Sequence, residues 1–413
     1  MNIRRNLLTR AWALTAASTV ATAMLVTGCS GSGSAAGATG SCPAVTGVSP
    51  QQINFGLLYA ATGLSAAAFA PYRAGVDARL GVANARGGVD GRTVTYSWAD
   101  DAGEAQTNLA AARRLVTDDK AFAVQEFSSS PQGSAQWLNS AGVPVVGTSN
   151  GLVWTKYSNM FSYYNLITGN TGSITTWGAY AQTQGVKKAA ILLSKLASGS
   201  LPVAQELSSS LQAAGIPTIT INAEPTILDV ASIVRKIQNS GADFITGIID
   251  PTEFIQIATA ARTANPNLKI LSLVGYDPGI FAVGQQLAGM SVSLPYIPFE
   301  RPIAAHQVFL NAMAQYAPQQ QPAANEIALI GWVDADLMLR GLQAAGRCPT
   351  RQSFITNLRA VPNYDAGGLL PKSVNLRTIF GQLSTCYSFL KISPNGRQFI
   401  PVGAGPVCGK LIP

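Results

Sequence analysis

The chain has 413 residues, 47% of them hydrophobic and 12% charged, with a mean hydropathy of +0.20 and a formal net charge of +8. That length suits two domains on the order of 100–200 residues each, apolar enough to bury a core in both. The basic residues are scattered, with no basic stripe interleaved with aromatics to hold nucleic acid, and one histidine without a C-x-x-C excludes a zinc site.

The chain begins with a basic head, Arg4, Arg5 and Arg10. An apolar run from Ala11 to Val26 follows, interrupted only by Ser and Thr. It ends in Val26-Thr27-Gly28-Cys29 and "SGSGSAAGATGS". A basic head, a short apolar middle and small residues at a cut site read as a secretory signal. The cut site resembles a bacterial lipobox, which implies that Cys29 becomes the acylated first residue of the mature protein. Residues 1–28 are then a signal and 29–50 a flexible tether. No later segment reaches the ~18–20 apolar residues needed to span a bilayer. The body is expected on the outer face of the cell membrane, held by lipid. The leader carries three arginines and no acid, so its loss lowers the charge from +8 to +5.

From Ile53 the pattern alternates. "INFGLLYA" predicts a buried strand, and Phe69, Val76, Leu80 and Ala83 lie at helical spacing up to Gly87-Gly88. Asp90-Gly91 marks a turn into the strand "TVTYSWAD". A helix bearing Ala105, Leu109, Ala112 and Val116 follows, then strand "AFAVQEF", short helix "PQGSAQWLNSAG" and strand "VPVVGT". After Gly172 the alternation restarts with strands "KAAILLS", "TITIN", "DFITGIID" and "KILSLVG" between helices. Such β-α alternation predicts parallel sheets covered on both faces. Ser291 to Pro302, rich in proline, reads as a crossing segment; three helices and a hairpin turning at Pro394-Asn395-Gly396 complete the chain. An even number of cysteines remains once Cys29 is acylated, which predicts disulfides in an exported protein. Cys386–Cys408 would bridge the hairpin, and Cys42–Cys348 follows by elimination.

"GVANARGGVDGRTVTYSWADDAG" resembles the segment after the first helix of type I periplasmic binding proteins of the leucine/isoleucine/valine class. The matching positions are Asn84, Gly87, Gly88, Val89, Gly91 and Asp100. "FSSSPQGSA" and "GVPVVGTSNG" resemble the family's next two sheet-to-helix turns, in order. The resemblance spans about the whole mature chain. It implies two doubly wound α/β lobes joined by three crossover segments and closing on a small ligand. The first lobe would comprise 51–168 and 296–369, the second 169–295 and 370–413.

In open doubly wound sheets, ligands sit beyond the carboxyl ends of the strands. Two serine-bearing turns lie there. With Ser130 as cap and Pro131 at the first helical position, the first aims N–H groups at the cleft. Ser128, Ser129, Ser149, Asn150 and Gly151 are therefore expected to hold a carboxylate, with Ser198 on the opposite lobe. Asp250 and Asp277 end second-lobe strands and would face a ligand ammonium, although Asp250-Pro251 also suits a helix cap. The family carries an acid at the place of Asp277. Asp250 stands in place of a family tyrosine, and "KLASGS" lacks another, so the ligand class stays open between amino acids and related carboxylates. Tyr59, Trp154 and Tyr276 would wall an apolar pocket.

Gly147-Thr148-Ser149-Asn150-Gly151 also spells G-x-S-x-G. A nucleophile elbow needs a helix directly after the serine, whereas "LVWTKYSNM" has no clear helical face, and His306 reads as helix interior. The expected function is a monomeric, lipid-anchored solute-binding protein that captures a small carboxylate ligand and delivers it to an ABC permease. It would use no cofactor, metal or catalytic residue. The alternatives are a ligand-sensing receptor domain of the same fold and a serine hydrolase using Ser149 with His306 and Asp250 or Asp277.

Overall fold

In the computed structural model, the described residues are 42–63, 65–149, 151–169, 172–194, 199–224 and 229–413. Cys29 and the leader lie outside them, as do Asn150 and Ser198. Strands β1 (Gln52–Tyr59), β2 (Thr93–Asp100), β3 (Val124–Phe127), β4 (Val145–Gly147) and β5 (Met160–Phe161) form a parallel sheet in the order β2-β1-β3-β4-β5. Strands β1, β3 and β4 are buried almost without alternation, β3 carrying Gln125 and Glu126 between Val124 and Phe127, because helices cover both faces, as parallel sheets require. On one face lie α1 (Ala66–Phe69) and α2 (Pro71–Ala85); on the other lie α3 (Ala105–Arg113), α4 (Ala135–Ser140) and α5 (Val153–Lys156). The latter face packs Leu58, Leu115, Leu138 and Trp154.

The second sheet begins, after the short strand β6 (Ser173–Ile174) and helix α6 (Thr176–Thr183), with β7 (Ala189–Leu193). Helix α7 (Ser200–Ala213), β8 (Thr218–Asn222), α8 (Val230–Ser240), β9 (Phe244–Ile248), α9 (Pro251–Ala264), β10 (Lys269–Ser272) and β11 (Ser291–Leu294) follow. Alternation is visible on β7: Ala190 and Leu192 face α8 and α9, while Ile191 and Leu193 face α6 and α7. The chain then returns to the first lobe for α10 (Ala304–Tyr316), α11 (Glu326–Ala345) and α12 (Arg351–Arg359). It comes back for β12 (Cys386–Ile392) and β13 (Phe399–Pro401), which extend the second sheet antiparallel, and ends with β14 (Val407–Cys408) and β15 (Leu411–Ile412). Leu411 and Ile412 pair with Ile174 and Ser173.

Three segments cross between the sheets. Asn165 in the first donates from Nδ2 to the carbonyls of Ile379 (2.9 Å) and Gln382 (3.0 Å) in the third, and its N–H donates to Ser384 Oγ. The N–H of Ile297 in the second donates to Leu369 O at 2.8 Å. Both expected disulfides are formed, Cys42–Cys348 and Cys386–Cys408, the latter joining residues directly opposite in β12 and β14.

Helices α2 and α11 approach backbone to backbone. A Cβ on Gly75 would lie 1.8 Å from Ala328 O, and one on Gly331 2.1 Å from Tyr72 O, so each glycine admits the other helix's carbonyl.

Two expectations need correction. Ser291–Leu294 is the strand β11, buried between β10 and β12, and the second crossover starts only at Pro295. The prolines that masked it begin one residue later and so leave its hydrogen bonds intact. After Gly151, Val153–Lys156 makes one helical turn, closed by the Tyr157 N–H on Val153 O. It has no side-chain cap, and that absence hid it.

Candidate functional site

The carboxyl ends of the first-lobe strands are knitted by acids. Asp100, at the end of β2, accepts the N–H groups of Ala61 (2.8 Å), Thr62 (3.2 Å) and Ala102 (2.9 Å) and the Thr62 hydroxyl. Burial would raise its carboxyl, but these hydrogen bonds outweigh burial and hold it below its ordinary value. The next residue, Asp101, is fully buried and accepts from the Ser128 hydroxyl and from Asn108 Nδ2 (3.0 Å). Asn108 also donates to Glu126 at 2.8 Å. Burial first, and the Asp101 charge besides, push Glu126 up to about 8 against that hydrogen bond. Ser128 thus serves an internal network below the turn. Ser129 is exposed and sits 3.0 Å from Ser65 across the β1 turn.

The Ser130 hydroxyl does not cap the following helix; it donates to Gly103 O at 2.7 Å, and Pro131 opens only a three-residue 3-10 turn before α4. Neighbouring Gly103 already brings a carbonyl within reach, and the hydroxyl takes it.

Ser149 is buried at the end of β4. Its N–H donates to Ser162 Oγ at 3.1 Å, whereas its own hydroxyl has no hydrogen-bond partner among the described residues. Gly151 lies beside the neighbouring turn, a Cβ there being 3.6 Å from Pro131. Beneath Ser149, Thr148 donates to Asp334 Oδ2 (3.0 Å), which also accepts from the Tyr72 hydroxyl (2.8 Å). Burial raises Asp334 to about 7, with Tyr72 and Thr148 pulling the other way.

On the second lobe, Asp250 caps α9 by accepting the N–H groups of Thr252 (2.8 Å) and Glu253 (3.2 Å). Asp277 caps the helical segment Pro278–Leu287 through Gly279 N–H at 2.8 Å. Both carboxylates are exposed on the turns after adjacent strands. The Tyr276 hydroxyl donates to Glu300 at 2.6 Å and accepts the Phe299 N–H at 3.2 Å. Glu300 and Glu326, missed in the sequence, stand close to these residues; Glu326 accepts from Tyr296, and Asp277 acts on it electrostatically. As Glu326 opens α11 of the first lobe, the two lobes approach here. Of the three expected aromatics, Tyr276 lines a cavity, while Tyr59 and Trp154 are core residues. Trp154 packs under the sheet, against Leu58 and Val145.

His306 is buried inside α10, with Nε2 2.9 Å from Ile297 O and its ring beside Phe299. Ser149 meets Ser162 and not His306, so the arrangement of a serine hydrolase is not assembled.

Two doubly wound lobes whose strand ends carry capped, hydroxyl-rich turns define a two-lobed solute-binding architecture. The match to the periplasmic binding protein model over residues 52–397 fixes the family, and the chain belongs to it. Its fold is that of the type I periplasmic binding proteins, extracytoplasmic proteins that bind solutes without chemically altering them. Among solved structures it is similar to a Rhodopseudomonas palustris solute-binding protein in complex with 4-hydroxybenzoate, with 17% identity, TM-score 0.71 and coverage of 87% of this chain and 98% of that one. It is also similar to a fatty acid ABC transporter substrate-binding protein from Thermomonospora curvata (17%, 0.72, 88% and 94%). A third is a leucine-binding protein from Thermotoga maritima (16%, 0.68, 86% and 98%). No curated protein matches the chain. No helix among the described residues is long and apolar enough to cross a membrane.

Proposed function

We propose that this chain is the monomeric, ligand-receiving component of an ABC importer, anchored outside the cell membrane by lipid at Cys29. It closes its lobes, 51–168 with 296–369 and 169–295 with 370–413, on a small organic ligand bearing a carboxylate. The observation that carries the reading is the Ser149 hydroxyl, buried at the carboxyl end of β4 with no partner among the described residues. A buried hydroxyl without a partner costs about 1–3 kcal/mol, and a ligand oxygen relieves that cost. In this reading Ser129 and Gly151 add further polar groups from the first lobe and Asp250, Tyr276 and Asp277 from the second; Asn150 and Ser198 complete the proposed set and lie outside the described residues. Similar proteins named for 4-hydroxybenzoate, fatty acid and leucine support a carboxylate ligand and leave amino acids as one class among several.

The test is a thermal-shift panel of aromatic, aliphatic and amino-acid carboxylates, followed by titration of Ser149→Ala. A hydrogen bond to a charged group contributes about 1.5–3 kcal/mol, so affinity should fall roughly ten- to a hundredfold with folding preserved. Unchanged affinity in Ser149→Ala would remove the serine from the site, and a panel without a single stabilising carboxylate would defeat the reading. Lipid anchoring is tested separately: Cys29→Ala should yield a product without acyl chains, and an unacylated Cys29 in the mature wild type would refute it.

A further inference from the structure

Beside Asp277 lies a cavity of about 390 Å³, within the size range of small-molecule sites. Four rings line it: Tyr276, Phe281, Phe299 and Phe399. Tyr276 and Phe399 stand 5.1 Å apart between centroids, Phe281 and Phe399 4.8 Å, and Tyr276 and Phe299 6.4 Å. Two carboxylates, Glu300 and Glu326, complete the lining, and no Lys or Arg contributes to it. Among the described residues neither acid enters an ion pair; the described pairs are Arg79–Asp336, Arg114–Asp119 and Lys269–Asp243. Each accepts a tyrosine hydroxyl instead. Pro278, Pro322 and Gln398 are exposed, so the chamber is reached from solvent.

This lining selects by charge. An anion would meet two carboxylates and the negative faces of aromatic rings. A neutral apolar group would desolvate both acids without compensation. A cation is attracted by the rings and the carboxylates alike, and the attraction grows as water is excluded. The remaining walls offer few acceptors, which suits a charge spread over alkyl groups better than a compact, strongly hydrated ammonium.

We propose that this cavity binds the alkylated ammonium group of an organic cation. The proposal rests on the solute-binding reading and deepens it, because Asp277, between lining residues Tyr276 and Pro278, adds a third carboxylate at the same edge. The titration behaviour agrees. Burial raises Glu326 to about 7, with Tyr296 opposing and Asp277 reinforcing, and burial raises Glu300 too, against the Tyr276 hydrogen bond. The groups facing Glu326 are Tyr296 and Tyr276 from the second crossover and the β10 turn, Asp277, and Tyr163 and Tyr164 from the first crossover; no base is among them. An arriving cation favours the ionised acids, so binding should release protons near neutral pH.

The experiment titrates choline and tetramethylammonium into the mature chain by calorimetry at pH 8 and pH 6, beside the carboxylate panel. Saturable choline binding, tighter at pH 8 and weakened at least tenfold in both Glu326→Gln and Glu300→Gln, is the expected result. Phe281→Leu, at the partly buried wall, keeps an apolar side chain of most of the volume and removes a ring; it should weaken choline similarly and keeps the test open if a Gln variant fails to fold. Absence of choline and tetramethylammonium binding at millimolar concentrations, with a panel carboxylate bound, would overturn this proposal and leave the solute-binding reading standing. No binding from either set would overturn both. Equal choline affinity in wild type, Glu300→Gln, Glu326→Gln and Phe281→Leu would overturn the assignment of the cavity.

Discussion

Thr148 donates to Asp334 Oδ2 at 3.0 Å, and this bond ties the end of β4, next to Ser149, to the middle of α11. Asp334 is fully buried, and its Oδ1 has no partner among the described residues. The carboxyl is raised to about 7 by burial, so the folded chain holds this proton more tightly than the unfolded chain, whose carboxyl titrates near ~4. The stabilisation is complete below about pH 4 and fades as pH rises through 7. Glu126, pushed to about 8 mainly by burial, adds in the same direction. The melting temperature should therefore fall between pH 5 and pH 9, and less steeply in Asp334→Asn, which cannot ionise. An identical slope in the variant would dissociate Asp334 from the pH dependence.

Gly331→Ala should be severely destabilising. The new methyl would sit 2.1 Å from Tyr72 O, where backbone must move, and overpacking of this kind costs about 1–3 kcal/mol. Separation of α2 from α11 would also loosen the Tyr72 and Thr148 hydrogen bonds to Asp334. Chemical denaturation measures the cost; a loss within ±0.5 kcal/mol would mean that the two helices tolerate a wider spacing.

The disulfides should differ in value. Cys42–Cys348 spans 306 residues and Cys386–Cys408 spans 22. Loop-entropy arguments assign about 6 kcal/mol to a closure of the longer kind and about 3 kcal/mol to the shorter. Cys348→Ser should lower the unfolding midpoint more than Cys408→Ser, provided that non-reducing peptide maps find both bridges in the wild type. The reverse ranking would show that hairpin geometry outweighs chain entropy.

Asp250→Ala should cost about 0.5–2 kcal/mol, the usual loss of an N-cap, because two N–H groups of α9 lose their acceptor. Asp250→Asn retains an acceptor and should cost a few tenths. If Asp250→Asn is as damaging as Asp250→Ala, the charge rather than the cap is what the site requires.

What the sequence made legible follows from the range of each interaction. Asp250-Pro251 announces its cap within four residues, and Cys386 and Cys408 meet across strands β12 and β14, paired close along the chain. The alternation of β7 and its neighbours is equally local and reveals both sheets. The wall of Tyr276, Phe299, Glu326 and Phe399 is different: its members lie on a strand turn, a crossover, a helix start and a hairpin. No spacing rule joins them, and only the tertiary fold brings Glu326 to Asp277. Ser130 misled for the opposite reason, since its local pattern was correct but Gly103 O, 27 residues away, competed for the hydroxyl.

The antiparallel pairing of Ser291–Leu294 with 388–391 sets the order in which the molecule can be finished. Between those strands the chain must build α10, α11 and α12 onto the first sheet, so each lobe awaits residues that emerge after the other has begun. Synthesis from the amino end therefore delivers a first sheet, complete by Phe161, that still lacks its cover of α10, α11 and α12, and a second sheet that still lacks β12 and β13; contacts of such sequence separation form slowly. Neither lobe can be finished ahead of the other, so the two lock together only when the carboxyl-terminal strands β12 and β13 have joined the second sheet.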